Sequence, residues 1–231
     1  VCLRQTELVA HWMGLGFIHG VMNTDNVSIA GETIDYGPCA FMDHYDPETV
    51  FSSIDRGGRY AYANQPQIAQ WNMARFAETL LPLIDSDPEQ AVSRVLPVVQ
   101  AMGEDFERVW GERLAAKLGF SANDAQVSDL ADNLLRLMAR DRADFTCTFA
   151  ALAESLRAQD GEALFCAEFA DTDAAGAWWQ SWHAAVTDHA RREAANGAPA
   201  DTAATAVANA ARHAAPNAGV DAKQGQNNDA I

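Results

Sequence analysis

The sequence is short of basic residues and long apolar runs, and each shortage excludes a class of protein. Its 231 residues include 16 basic and 32 acidic side chains, which gives a formal charge of −16 at pH 7. A nucleic-acid interface needs a basic patch, and an anionic membrane surface attracts basic segments, so we expect neither partner. No apolar run reaches the roughly 18–20 residues that a membrane-spanning helix requires.

Cysteine is also scarce, with only four residues scattered along the chain: Cys2, Cys39, Cys147 and Cys166. Because no two of them form a C-x-x-C pair, the sequence predicts neither a zinc site nor a disulfide framework. A reducing, cytoplasmic location is therefore the expectation.

Changes in composition predict how the chain is organised. We interpret residues 1–194 as one domain, with a glycine-rich polar segment at 14–43 and a helical region at 63–194. Residues 195–231 contain no aromatic residue and no Leu, so they cannot bury enough apolar surface to fold, and a disordered Ala-rich tail is predicted. The fold class that follows is mainly α-helical with one small β-hairpin.

Apolar residues recur at helical spacing in the helical region, which predicts packed amphipathic helices. Pro97 should break or kink the second of these stripes early, because proline has no N–H to donate. The five stripes are Ala69, Met73, Phe76, Leu80 and Leu83; Val92, Val95, Val99, Met102, Phe106 and Val109; Val127, Leu130, Leu134 and Leu137; Phe145, Phe149, Leu152 and Leu156; and Trp178, Trp182 and Val186.

The polar segment at 14–43 contains the residues that we single out for chemistry. Asp25 and Asn26 are neighbours in a polar loop, and residues 27–29 and 33–34 are predicted as short strands that lead to Asp35. Such a hairpin would place Asn26 and Asp35 side by side. Their oxygens suit Mg²⁺, which takes few protein ligands and fills its shell with phosphate oxygens and water. An ordinary polar loop with capping side chains is the alternative interpretation.

The same segment can be compared with the protein-kinase signature, in which H-R-D-L-x-x-x-N precedes D-F-G. His19-Gly20-Val21 stands at the H-R-D position, Asn26 has the spacing of the kinase Asn, and Asp35-Tyr36-Gly37 stands at the D-F-G position. Both metal-binding positions are thus retained, but Val21 cannot accept a proton. Asp25 is the one carboxylate between His19 and Asn26. The pattern indicates a kinase-like site with altered chemistry at the acceptor, in which His19 has a structural role.

A longer match is more specific. Residues 16–26, Gly-Phe-Ile-His-Gly-Val-Met-Asn-Thr-Asp-Asn, together with Ile34-Asp35-Tyr36-Gly37-Pro38, closely resemble the selenoprotein O family. Further matching motifs are Phe41-Met42-Asp43, Gly58-Arg59-Tyr60-Ala61, Gln65-Pro66 and Trp71-Asn72. The resemblance is strong over about residues 3–85 and follows the helical pattern to about residue 182.

This resemblance implies a protein-kinase-like fold that transfers AMP, rather than phosphate, from ATP to Ser, Thr or Tyr hydroxyls of proteins. Asp25 matches the catalytic Asp of the family, which accepts the proton of the attacking hydroxyl. Asn26 and Asp35 match the Mg²⁺ ligands, with Mn²⁺ as the alternative ion, so Asp35 also serves binding of the nucleotide. The implied partners are ATP as co-substrate and hydroxyl-bearing proteins.

The sequence also departs from a complete kinase-like enzyme. No Gly-rich loop or strand lysine precedes residue 1, so we expect the large lobe only, with the small lobe missing. Alone, this chain is expected to bind ATP poorly. Two alternatives stay open: a small-molecule phosphotransferase of the aminoglycoside-kinase type, and an inactive helical module that binds a partner.

A second polar stretch, with Asp55, Arg56, Arg59 and Tyr60, lies where an activation segment would be. These residues could contact a protein substrate, or they could form a structural turn. The sequence alone favours the turn.

Overall fold

The computed structural model describes residues 1–122 and 124–196, which fold mainly into helices. Within those residues two very short strands, β1 (Phe17–Ile18) and β2 (Ala40–Phe41), form a small antiparallel sheet. The predicted class is confirmed to the extent that the fold is mainly α-helical with one small two-stranded antiparallel sheet. The helices are α1 (Cys2–Gly14), α2 (Gln65–Ile84), α3 (Pro88–Gln100), α4 (Met102–Lys117), α5 (Ala125–Asp141), α6 (Phe145–Ser155), α7 (Gly161–Cys166) and α8 (Thr172–Ala195).

Four of the helices begin with the same local device. The side chains of Asp87, Asp124, Asp144 and Asp171 each accept a hydrogen bond from a backbone N–H in the first turn of α3, α5, α6 and α8. Those N–H groups have no partner within the helix, and the negative charge also suits the positive end of the helix dipole. The sequence therefore sets these helix starts locally.

One continuous apolar core joins the helices. Helix α1 packs against α2 and α4. The series of helix contacts continues from α4 to α5, from α5 to α8, and from α8 to α7. Trp182 is fully buried and donates its indole N–H to the carbonyl of Leu118, and Trp178 does the same to Leu130. These bonds let two large aromatic rings be buried without leaving a polar atom unpaired.

Three of the five predicted stripes are mainly buried, whereas the first two are buried only in part, and Val92 in the second is exposed. The stripe on α2 is buried at Ala69 and Met73, whereas Leu83 at its far end is 83% exposed because that end extends beyond the core. Pro97 lies inside α3, and the helix ends only at Gln100 before α4 begins at Met102. The second stripe is therefore divided later than predicted, since one missing N–H does not end a helix packed on its neighbours.

The predicted strands at 27–29 and 33–34 are wrong, because neither stretch is extended and paired. The sheet forms instead at the outer ends of the segment, where Phe17 pairs with Phe41 and Ile18 with Ala40. Apolar side chains at these positions pack together, and the rings of Phe17 and Phe41 lie 5.4 Å apart. Of the predicted tail at 195–231, Ala195 ends α8 and Asn196 follows as its C-cap, and the rest lies outside the described residues. Among the described helices, none combines the length and apolar character needed to cross a membrane.

Candidate active site

Pairing of β1 with β2 closes a long polar loop, residues 19–39, which we call the site loop. All three residues that the sequence singles out, Asp25, Asn26 and Asp35, lie in this loop. The strands at the two ends of the loop are not the predicted ones. Because these strands pair, the N-terminal and C-terminal parts of the loop, which we call its first and second limbs, leave the sheet next to each other. The site is therefore built on irregular backbone attached to a small rigid base.

The first limb presents Asp25 and Asn26 on a single turn of 3-10 helix, Thr24–Asn26. The backbone N–H of Asn26 donates to the carbonyl of Asn23 at 3.0 Å, which closes the turn. The side-chain amide of Asn26 donates to the carbonyl of Val21, also at 3.0 Å. This bond uses the nitrogen of the amide and leaves its oxygen, the atom that a cation needs, as an acceptor. The carboxylate of Asp25 is exposed to solvent.

The second limb presents Asp35 in an unusual backbone conformation. Its φ angle is +54°, in the left-handed region that non-glycine residues adopt at some cost. A tight turn accompanies it, because the N–H of Gly37 donates to the carbonyl of Asp35 at 2.8 Å. Strained residues of this kind concentrate at functional sites, where the surrounding contacts maintain them. The side chain of Asp35 is exposed.

His19 joins the two limbs, and it is fully buried. Its Nε2 lies 2.8 Å from the carbonyl oxygen of Ile34, next to Asp35, while its Nδ1 accepts the N–H of Val21 at 3.4 Å. Because Nδ1 is the acceptor, the ring carries its hydrogen on Nε2 and donates it to Ile34. Asn26 and Asp35 are thus connected through a chain of three hydrogen bonds. The predicted structural role of His19 is confirmed.

Helix α1 holds the outer part of the loop through two polar side chains. Gln5 donates to the carbonyl of Ser28 at 2.6 Å, and the indole N–H of Trp12 donates to the hydroxyl of Thr33 at 2.9 Å. Gly31 has a φ angle of +76°, and a Cβ at this position would lie 2.7 Å from the Cβ of Arg4. Only glycine permits this close approach between the loop and the helix.

Helix α2 holds the base of the loop. Gln65, fully buried, donates to the carbonyl of Phe17 at 3.1 Å and accepts the N–H of His19 at 3.0 Å. Asn72, two turns further along the same face, donates to the carbonyl of Met22 at 3.0 Å. Neither residue is assigned a role from the sequence alone. The signal that could have indicated a role was the occurrence of two polar residues on the buried face of a helix, since buried polar groups need hydrogen-bond partners.

A third contact reaches the loop from residues 55–60. The hydroxyl of Tyr60 donates to the side-chain oxygen of Asn23, one residue before the turn that contains Asp25. The carboxylate of Asp55 accepts the backbone N–H groups of Arg59 and Tyr60, at 2.9 and 2.7 Å. The predicted structural turn is therefore confirmed, although backbone amides rather than side-chain pairs form it.

The donor set determines which metal the loop could hold. Within residues 1–122 and 124–196, no three His, Cys, Asp or Glu side chains are grouped as ligands. Transition-metal centres with several nitrogen or sulfur ligands do not fit this arrangement. The amide oxygen of Asn26 and the carboxylate of Asp35 do fit Mg²⁺ or Mn²⁺, because hard ions with few protein ligands complete their shells with phosphate and water.

The sequence matches a known family over most of its length. The family model described as "Protein adenylyltransferase SelO" matches residues 1–215. A relative from Rhizobium johnstonii, named "Protein nucleotidyltransferase YdiU", is 53% identical over 182 residues, which cover 79% of this chain and 36% of the relative.

Two further relatives of the same name give the same result. The protein from Roseobacter denitrificans is 53% identical over 81% of this chain and 38% of its own length. The protein from Mycobacterium sp. strain KMS is 51% identical over 85% of this chain and 40% of its own length. The chain thus spans little more than a third of the relatives that it matches. Because the family model matches residues 1–215, the chain belongs to the SelO protein adenylyltransferase family.

Proposed function

We propose that this chain is part of a protein adenylyltransferase that transfers AMP from ATP to Ser, Thr or Tyr hydroxyls of proteins. The observation that carries the proposal is the site loop itself. It presents one exposed carboxylate, Asp25, beside an amide oxygen on Asn26, and it ties the second limb with Asp35 to them through His19. The family description and the nucleotidyltransferase names of the relatives support the same chemistry.

The proposed roles follow from the chemistry of each group. Asp25, exposed and without a side-chain partner among the described residues, would accept the proton of the attacking hydroxyl. Asn26 and Asp35 would hold Mg²⁺ or Mn²⁺ together with the nucleotide. A bound divalent ion supplies positive charge to the phosphates of ATP. Nucleotidyl transfer requires little covalent work from the protein, so correct positioning by the loop contributes most of the catalysis.

The proposal includes an architecture and a location. Residues 1–194 would form the large lobe of a kinase-like fold, with α1 beneath the site loop and α2 bracing its base. The nucleotide would lie between this lobe and a small lobe elsewhere in the full-length protein. We place the protein in the cytoplasm, which agrees with four cysteines that are all unpaired in the described residues.

Labelling with two forms of ATP tests the proposed reaction. The full-length protein is incubated with Mg²⁺ and with ATP labelled at the α or at the γ phosphate, and incorporation into protein is measured. We expect label from the α form only, because AMP transfer releases the γ phosphate within pyrophosphate. Label from the γ form only would show a phosphotransferase, and label from neither would favour an inactive binding module.

A matched pair of variants assigns the site. Asp35→Ala should abolish incorporation of α label, because it removes a metal ligand. Glu32→Gln, which alters an exposed carboxylate of the same loop, should retain it. Full activity in the Asp35 variant would show that the metal assignment is wrong.

A further inference from the structure

An arginine patch next to the site loop has no role in the function proposed above. It consists of Arg59 and Arg75 around Trp71, a large ring that is 43% exposed. The guanidinium carbon of Arg59 lies 4.7 Å from the centre of the Trp71 ring, and that of Arg75 lies 5.5 Å from it. Both side chains therefore rest on an aromatic surface at the outside of α2, and cation–π contact favours this arrangement.

The patch is connected to the catalytic turn, the 3-10 turn Thr24–Asn26, through the sequence neighbours of Arg59 and Trp71. Arg59 precedes Tyr60, whose hydroxyl donates to Asn23, two residues before Asp25. Trp71 precedes Asn72, which holds the carbonyl of Met22 in the same limb of the loop. An open groove of about 240 Å³ between the loop and α2 is lined by Thr24 on one side and Arg75 on the other. A peptide whose hydroxyl reached Asp25 could therefore extend along the groove towards the arginines.

The charges of the patch are available to a ligand. Among residues 1–122 and 124–196, no carboxylate forms an ion pair with Arg59, and the nearby carboxylate of Asp55 binds backbone N–H groups of this turn. Arg75 pairs with Glu78 at 2.7 Å, but both side chains are about half exposed, and such pairs exchange partners at little cost. The stacked guanidinium groups lose less freedom when they bind a carboxylate than unrestrained ones would.

The charge of the patch is opposite in sign to the net charge of the protein. The chain carries a net charge of −16, so most of its surface repels an acidic peptide. A pair of stacked arginines beside the catalytic turn provides a local exception on one side of Asp25. The difference in charge gives an acidic segment one preferred position and direction.

We propose that the arginine patch binds acidic residues that flank the acceptor hydroxyl, so that the enzyme prefers acidic segments of its protein substrates. This inference rests on the proposed function, because it concerns the protein substrates of the transfer reaction. The binding itself can be measured without catalysis. Arg59 contributes a charge that has no ion-pair partner, and Trp71 orients its guanidinium group. Arg75 contributes a second charge once its ion pair with Glu78 has broken.

Peptide binding tests the inference directly. Three fluorescent peptide sets each carry one Ser, Thr or Tyr, flanked on one side by two Glu, two Gln or two Lys residues. Anisotropy with the full-length protein should show the Glu set bound about fivefold more tightly than the Gln set, and higher salt should reduce the difference. Arg59→Gln should remove the preference, and Arg59→Glu should reverse it towards the Lys set. A variant that merely misfolds would weaken all three sets together.

A control and a second readout separate the two proposals. Arg136→Gln changes an exposed arginine on α5 and should leave the preference for the Glu set intact. Equal binding of the Glu and Gln sets by the unmodified protein would overturn the inference, whatever the transfer assay gives. Transfer of α label to any peptide set tests the proposed function separately, so a failure of one proposal is not mistaken for a failure of the other.

Discussion

Residues 19–39 contain one turn of 3-10 helix, whereas the chain from α4 to α8 is mostly helical. In the site loop, Asp25 and Asp35 are exposed and the backbone is held by single hydrogen bonds from distant side chains. In the helices from α4 to α8, Trp182, Phe145 and Phe165 are almost completely buried. The loop therefore depends on directional bonds, and the helical region depends on buried apolar area.

This difference teaches where a change should affect activity and where it should affect stability. Buried area is shared among many side chains, so one substitution in the helical region removes part of a large total. A polar anchor of the loop has no substitute, because the backbone group that it holds would be left buried without a partner. The carboxylates that we propose for catalysis and metal binding, Asp25 and Asp35, are exposed and are expected to contribute little to stability.

The largest expected effect concerns the exposed carboxylate of the loop. Asp25→Asn should lower transfer of AMP by about 10²–10⁴-fold, the usual contribution of a general base, with almost no change in melting temperature. Single-turnover labelling and thermal melts of the full-length protein measure the two quantities. A large loss of stability in this variant would mean that the loop and the helical region are not as distinct as proposed.

The next effect belongs to the helical region. Trp182→Ala should lower the free energy of unfolding by about 3–5 kcal/mol, because it opens a cavity and leaves the carbonyl of Leu118 without its donor. Urea unfolding followed by circular dichroism measures the loss. Leu83→Ala, at an exposed position, is the matched control and should change stability by less than about 0.5 kcal/mol.

A smaller effect is expected where the two regions meet. Gln65→Leu should cost about 2 kcal/mol of stability, because it leaves the carbonyl of Phe17 and the N–H of His19 unpaired in a buried place. It should also reduce transfer of AMP, since His19 joins the limbs of the loop. Gln67→Leu, exposed on the same helix, provides the control. Normal activity in the Gln65 variant would show that the loop keeps its geometry without this anchor.

The last expected effect concerns a charge inside the helical region and depends on pH. Lys117 is buried with its ammonium 4.1 Å from the centre of the Phe149 ring, and burial lowers its pKa from 10.5 to about 8. Between pH 8 and 10.5 the unfolded chain binds more protons than the folded one, so the free energy of unfolding should rise with pH. Below pH 8 both states are charged, and the folded state bears the full cost of burial.

Lys117→Met removes this titration, so the variant can be compared with the unmodified protein at each pH. The melting temperature of the variant should exceed that of the unmodified protein most clearly below pH 8. The difference in the free energy of unfolding between the two proteins should narrow by about 3 kcal/mol towards pH 10.5, because each unit by which burial lowers the pKa of Lys117 corresponds to about 1.4 kcal/mol. A gap that does not change with pH would contradict the expected burial of the charge.

Much of the fold and of the candidate site could be predicted from the sequence. Helix starts at Asp124, Asp144 and Asp171 are local signals, and the burial of Trp178 and Trp182 follows from their spacing. The strands could not be placed correctly, because pairs of two residues carry almost no periodic signal. The anchors on α2 were also missed, since they bind backbone carbonyls, and any residue can supply such an acceptor.

The sequence by itself determined which chemical groups are available: Asp25, Asn26 and Asp35 lie in one motif that is specific enough to indicate a family. The tertiary structure decided how those groups are held, because Gln5 and Trp12 on α1 and Gln65 and Asn72 on α2 bind loop residues that are 21 to 50 positions away in the chain. It also placed Arg59 on Trp71, beside the loop. The physical reason is that a motif records local residue chemistry, whereas hydrogen bonds to backbone and contacts between rings depend on distances that only the folded chain defines.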